Sequence, residues 1–233
     1  QIENAFSFAN NVAKYQSSTP TGVPQAGVEL VQRIQSGEVT TVPISCKGHS
    51  MGLSFAPVAG NPDKTYLIFT NRGEGAEKSG KFGTQIYEVD KRDITPEVMN
   101  AMMSGHHKGL SHEQVMDQIQ QVTKGKDPVH EVQQSPQKYD NCSVANCRSN
   151  IHGLLLCLEA NRQGGFDNVN REKVKACYKD FTHDMKMKQI QELKENRGDP
   201  DCDALLQKCS EKPKYAHCFE TAMTSSSVHR GSL

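Results

Sequence analysis

The sequence predicts an α+β protein in which a small antiparallel sheet packs on one central helix and a helical extension follows. Three observations predict it. Segments rich in β-branched and aromatic residues crowd between residues 42 and 89, the most apolar helical pattern begins at Cys142, and the chain beyond Gly164-Gly165 carries helical spacing almost to its end. A length of 233 residues suits one domain with an appendage. The expected divisions are a flexible N-terminal segment over 1–25, a folded domain over 26–165, a helical extension over 166–224 and a disordered tail over 225–233.

Polar composition and the run Ser17-Ser18-Thr19-Pro20-Thr21-Gly22 leave Ile2 to Tyr15 at best a loosely attached helix. Val28, Leu30, Val31 and Ile34, ending at Gly37, form a short amphipathic helix from Gln25. The strands are Val42 to Cys46 leading into His49 to Phe55, then Thr65 to Thr70, then Thr84 to Val89. Gly60-Asn61-Pro62-Asp63 closes a hairpin, and Gly73, Gly75, Gly80 and Gly83 make the next connection a long loop that reads as a mobile lid. Thr95-Pro96-Glu97 starts a helix as N-cap with Pro at N1, and Ser111 starts another reaching about Val122.

A polar connector, Thr123 to Tyr139, precedes the core helix. Val144, Cys147, Ile151, Leu154, Leu155 and Leu158 recur there at helical spacing over Cys142 to Leu158. Val174, Cys177, Tyr178, Phe181 and Met185 share a face of a long helix to about Asn196, with Lys186 to Arg197 as a solvated face. Shorter helices follow over Asp201 to Cys209 and Tyr215 to Ala222.

Lys and Arg total 27 and so do Asp and Glu, so there is no global positive field to favour nucleic acid or a membrane surface as partner. No window approaches the roughly 18 consecutive apolar residues of a membrane span. Nothing at the N-terminus reads as a secretory signal, and Gln1 in place of Met suggests a trimmed start. Eight cysteines without a Cys-x-x-Cys are too sparse for a disulfide scaffold and give little support to zinc, so reduced thiols and no cofactor or metal are expected. Two bridges among Cys177, Cys202, Cys209 and Cys218, in a secreted helical protein, are the alternative. His106, His107 and His112 lack Cys or Asp at ligand spacing and read as surface histidines.

The chemistry concentrates at Pro136-Gln137-Lys138-Tyr139-Asp140-Asn141-Cys142-Ser143. A thiolate is stabilised in the first turn of a buried helix by unpaired backbone N–H groups and the macrodipole, and Cys142 occupies that position. The side-chain amide of Gln137 and the Cys142 backbone N–H can then hold a carbonyl oxygen under attack. His49, on a strand within Gly48-His49-Ser50-Met51-Gly52-Leu53-Ser54-Phe55, is the candidate base. Asn71, at the end of the next strand in Phe69-Thr70-Asn71-Arg72-Gly73, would lie beside His49 in a hairpin and accept from its ring N–H.

The order Gly48-His49, Asn71-Arg72-Gly73 and Gln137-Lys138…Asn141-Cys142 resembles the papain-like fold as permuted in the Ulp/adenain-type (clan CE) cysteine proteases and the YopJ-type effectors. It is also similar to cysteine-protease-like domains of Dot/Icm-secreted effectors of intracellular bacteria. The resemblance covers about residues 26 to 160 and implies a papain-like cysteine protease-like catalytic domain over 26–165. It implies a thiol-dependent acyl-transfer enzyme with Cys142, His49, Asn71 and Gln137 as catalytic residues. The implied activity is that of a cysteine protease or ubiquitin-like isopeptidase, acting on a host protein or ubiquitin-like modifier after secretion into the host cytoplasm. Deamidation, transamidation and acetyl transfer pass through the same thioester and stay open. So does a non-catalytic interaction module that binds through the helices after Gly165. The clan CE pattern prefers Asp where this chain has Asn71, and Asp-Cys-Gly where it has Asn141-Cys142-Ser143; if Asn71 is misplaced, Asp63 or Asp90 is the substitute to test.

Overall fold

The computed structural model describes residues 23–137 and 142–216, together with Ile2, Asn4, Ala5, Ala9, Cys218 and Phe219. Apart from those few positions, the expected N-terminal helix, the turn over 17–22 and the 225–233 tail lie outside the described residues. So do Lys138 to Asn141.

Five strands form one antiparallel meander in the order β1 (Thr40–Cys46), β2 (His49–Val58), β3 (Asn61–Asn71), β4 (Gly83–Asp90) and β5 (His130–Gln133). The first helix, α1, spans Val23–Gln35. A single turn, α2 (Ala76–Ser79), interrupts the glycine-rich connection, and α3 (Pro96–Met103) and α4 (His112–Thr123) follow β4. The cysteine-led helix α5 runs over Cys142–Gln163, then come α6 (Arg171–Glu195) and α7 (Pro200–Ser210). The mixed α+β class and the small antiparallel sheet agree with the sequence.

Side chains alternate across a strand, and β2 and β3 use both faces. Met51, Leu53, Phe55, Leu67 and Phe69 join Leu30 and Ile34 of α1, Met99 and Met102 of α3, and Val115 and Ile119 of α4 in one apolar core. Ala56, Tyr66, Ile68 and Ile86 join Leu154, Leu156 and Cys157 of α5 in another. The sheet is therefore covered on both faces, not on the α5 face alone. Each fully buried Leu, Ile, Phe or Met contributes about 1.5–3 kcal/mol against an exposed one, so both layers add to the stability of the sheet.

Part of the contact between α5 and the sheet is polar. Asn150, on α5, donates to the Ile68 carbonyl at 2.8 Å and to Thr70 Oγ1 at 3.2 Å, and accepts from Ser54 Oγ. Buried amides cost stability unless bonded, so the three bonds fix where α5 lies along β2 and β3. Gly52 permits the close approach: a Cβ there would stand 2.8 Å from Asn150 Cβ and 2.9 Å from the Asn146 carbonyl oxygen.

Several boundaries differ from expectation. Strand β5 lies within the stretch read as a polar connector. Its sequence His-Glu-Val-Gln alternates between half-buried and exposed, as suits a short, charged edge strand with one covered face. The segment Tyr215 to Ala222 is described only as a 3-10 turn over Pro213–Tyr215 and helical Cys218 and Phe219. Cys177 is exposed, off the buried side of α6. Of the last four cysteines, Cys202, Cys209 and Cys218 are half-buried, and no disulfide joins any of the four in this structure.

The chain divides into two compact units, residues 1–175 and 176–233. The second has its own apolar cluster, in which Ile190, Leu206 and Tyr215 are buried with Met187, Leu193, Cys209, Cys218 and Phe219 packed against them. No helix among the described residues is long and apolar enough to cross a membrane.

Candidate active site

His49 opens β2 and Asn71 closes β3, and both are about 95% buried. In the antiparallel register Gly52 stands opposite Thr70, which brings the start of one strand to the end of the other. His49 Nε2 lies 2.9 Å from Asn71 Oδ1.

Backbone groups fix which end of the Asn71 amide is which. The Gly73 N–H can only donate, and it reaches Oδ1 at 3.0 Å; the Glu74 carbonyl can only accept, and it receives Nδ2 at 2.9 Å. Oδ1 therefore accepts from His49, and Nε2 carries a proton.

Cys142 is half-buried at the start of α5, and its Sγ accepts from the Ser50 N–H at 3.4 Å. The sulfur thus sits against the residue next to His49. One turn further, fully buried Asn146 donates to the Ser50 carbonyl at 2.7 Å and accepts from the Arg72 N–H at 2.9 Å. A single amide ties the first turn of α5 to the neighbours of both His49 and Asn71. The Arg72 guanidinium adds bonds to Ser149 Oγ at 3.2 Å and to the Ser135 carbonyl at 3.0 Å.

Gln137 is drawn in by the same strand end, since its N–H donates to the Arg72 carbonyl at 2.7 Å. Its side chain and the His49 ring close on Gly73. A Cβ there would stand 2.6 Å from His49 Cε1 and 3.0 Å from Gln137 Oε1. The structure thus gathers all four expected site residues around the ends of β2 and β3. Asp63 is exposed and Asp90 pairs with Lys64 at 3.1 Å, so neither occupies the place of Asn71.

Three other thiols of this unit are shifted toward the protonated form. Burial, then the Glu74 carboxylate, pushes the Cys46 thiol up; burial, then Cys142, raises Cys147; and burial alone takes Cys157 well above the usual range.

Three contributors escaped the sequence reading. Asn146 left a faint signal, four residues after Cys142 and so on the same helical face in an otherwise apolar pattern. The Ser50 N–H left none, because any residue presents one. His112 was read as a surface histidine with His106 and His107; those two are exposed, but His112 is half-buried with Nε2 3.1 Å from Asn71 Nδ2. The loop after Asn71, read as a mobile lid, is in its first part a wall of the site, with Ala76 buried and Gly73 bonded to Asn71. No group of His, Cys, Asp and Glu suited to holding a metal occurs among the described residues.

A half-buried thiol at a helix start, an anchored imidazole and a side-chain amide beside it are the parts that thiol-based acyl transfer requires. Residues 1–225 match the model of the family described as Dot/Icm T4SS effector AnkD/LegA15. No curated protein matches the chain.

Proposed function

Because the chain belongs to the AnkD/LegA15 family of Dot/Icm type IV secretion effectors, which pass into host cells, we propose that it is a thiol-dependent acyl-transfer enzyme with a papain-like catalytic domain. Its substrate is a host protein or ubiquitin-like modifier, cleaved at an amide or isopeptide bond in the reducing host cytoplasm. The observation that carries the reading is the 2.9 Å bond from His49 Nε2 to Asn71 Oδ1, beside a Cys142 sulfur bonded to the Ser50 N–H.

With Nε2 committed to Asn71, His49 uses Nδ1 to take the proton from Cys142, and the thiolate attacks the carbonyl carbon. The Gln137 amide and the Cys142 backbone N–H hold the oxyanion. His49 then protonates the departing amine as the C–N bond breaks, leaving an acyl thioester. Water, deprotonated by His49, attacks the thioester and releases the acid and the thiol. Asn71 fixes the ring but supplies no charge, so it stabilises the imidazolium less than Asp would.

Selective labelling tests the reading. Iodoacetamide near neutral pH should modify Cys142 ahead of the other seven thiols, and His49→Ala should abolish the preference. Uniform slow labelling of the wild-type protein would refute the enzyme and leave an interaction module.

A further inference from the structure

We propose that His112 is a positioning residue of this site, one that holds the Asn71 amide through a neutral imidazole whose Nε2 accepts from Asn71 Nδ2. The proposal rests on the acyl-transfer reading for its consequence, but not for its geometry. Asn71 Nδ2 must donate, because the Gly73 N–H and the Glu74 carbonyl have already fixed the orientation of the amide. The His112 nitrogen 3.1 Å away therefore presents a lone pair, and its proton resides on Nδ1. A chain of defined polarity results: His49 Nε2–H to Asn71 Oδ1, and Asn71 Nδ2–H to His112 Nε2.

The surroundings favour the neutral form. His112 is the first residue of α4, whose N-terminus is closed by a capping box on Ser111 and Gln114, and a helix N-terminus disfavours a cation. Burial, then the nearby His49, lowers its affinity for a proton; Glu113 on its own helix, Glu74 on the loop after β3 and Glu77 on α2 act the other way. Room for the ring is made by Gly75, where a Cβ would stand 2.3 Å from His112 Cε1. Protonation would set an N–H against the Asn71 N–H, place a cation near His49, and release the amide that fixes the base.

The wild-type protein, labelled with nitrogen-15 in its histidines, should show His112 Nε2 unprotonated and His49 Nε2 protonated at neutral pH. Rates of Cys142 alkylation by iodoacetamide against pH should then separate two variants. His112→Gln keeps an acceptor that does not titrate, so it should react at near the wild-type neutral rate and lose one protonation from the acid limb. His112→Leu keeps none and should react about tenfold more slowly. A protonated His112 Nε2, or an acid limb unchanged in His112→Gln, overturns the proposal even if the Leu variant fails to fold. Should His49→Ala alkylate like wild type, the enzyme reading falls while the nitrogen spectrum still judges the chain of bonds.

Discussion

Replacing Gly73 by alanine adds one methyl group where the His49 ring and the Gln137 amide converge. Gly73 does not have a left-handed backbone, so the substitution acts through space alone. The new Cβ would stand 2.6 Å from His49 Cε1, whereas carbon atoms in contact settle at about 3.5–4.0 Å, so the ring must retreat by roughly 1 Å. Such a shift stretches the 2.9 Å bond to Asn71 to about 3.9 Å, beyond hydrogen-bond range, and swings Nδ1 by a similar distance. A misplacement of about 1 Å costs on the order of 100-fold in reaction rate. Overpacking costs about 1–3 kcal/mol of a typical 5–15 kcal/mol, so the protein should remain folded. The assay is the second-order rate of Cys142 alkylation, followed by mass spectrometry of the modified peptide, with urea unfolding alongside. Gly73→Ala reacting within about twofold of wild type while folded would refute the placement of His49 against Gly73 as the source of Cys142 reactivity.

Asn146→Leu conserves volume but strands the Arg72 N–H and the Ser50 carbonyl, each at about 1–3 kcal/mol. The urea midpoint should fall by the equivalent of about 2–6 kcal/mol together with Cys142 reactivity; an unchanged midpoint would show that α5 is held otherwise. His112, His130 and His152 are all shifted below the ordinary histidine value of 6.5, by burial first in each case. The unfolded chain then binds more protons than the native one between their lowered values and 6.5, so stability is complete above that pH and declines as pH falls through the window. Melting temperatures measured across that range should drop on acidification, and a flat profile would contradict the assignment of neutral half-buried imidazoles.

Local signals in the chain located most of the elements. Thr95-Pro96 does cap α3, with Thr95 Oγ1 accepting from the Val98 N–H, and Ser111 does open α4 through a capping box. Such motifs act within a few residues and survive in any fold. The short edge strand β5 has no comparable signal: three polar residues and Val132 become a strand only because β4 offers them an open edge, with Gly83 opposite Gln133 and Ile86 opposite His130. Cys177 illustrates the reverse case, since it shares helical spacing with buried Val174 yet lies exposed on α6.

By itself the sequence determined which side chains are candidates for chemistry. Residue type, helix start and strand end single out Cys142, His49, Asn71 and Gln137 as candidates, because thiol, imidazole and amide are properties of individual groups and their local backbone. Only the tertiary structure decided how those groups meet. The seating of α5 by Asn146, Asn150 and Gly52, the convergence on Gly73, and the turn of His112 from apparent surface residue to partner of Asn71 all depend on contacts between segments far apart in the chain. Steric fit and hydrogen-bond geometry across such separations arise from packing the whole domain, and no pattern within one segment encodes them.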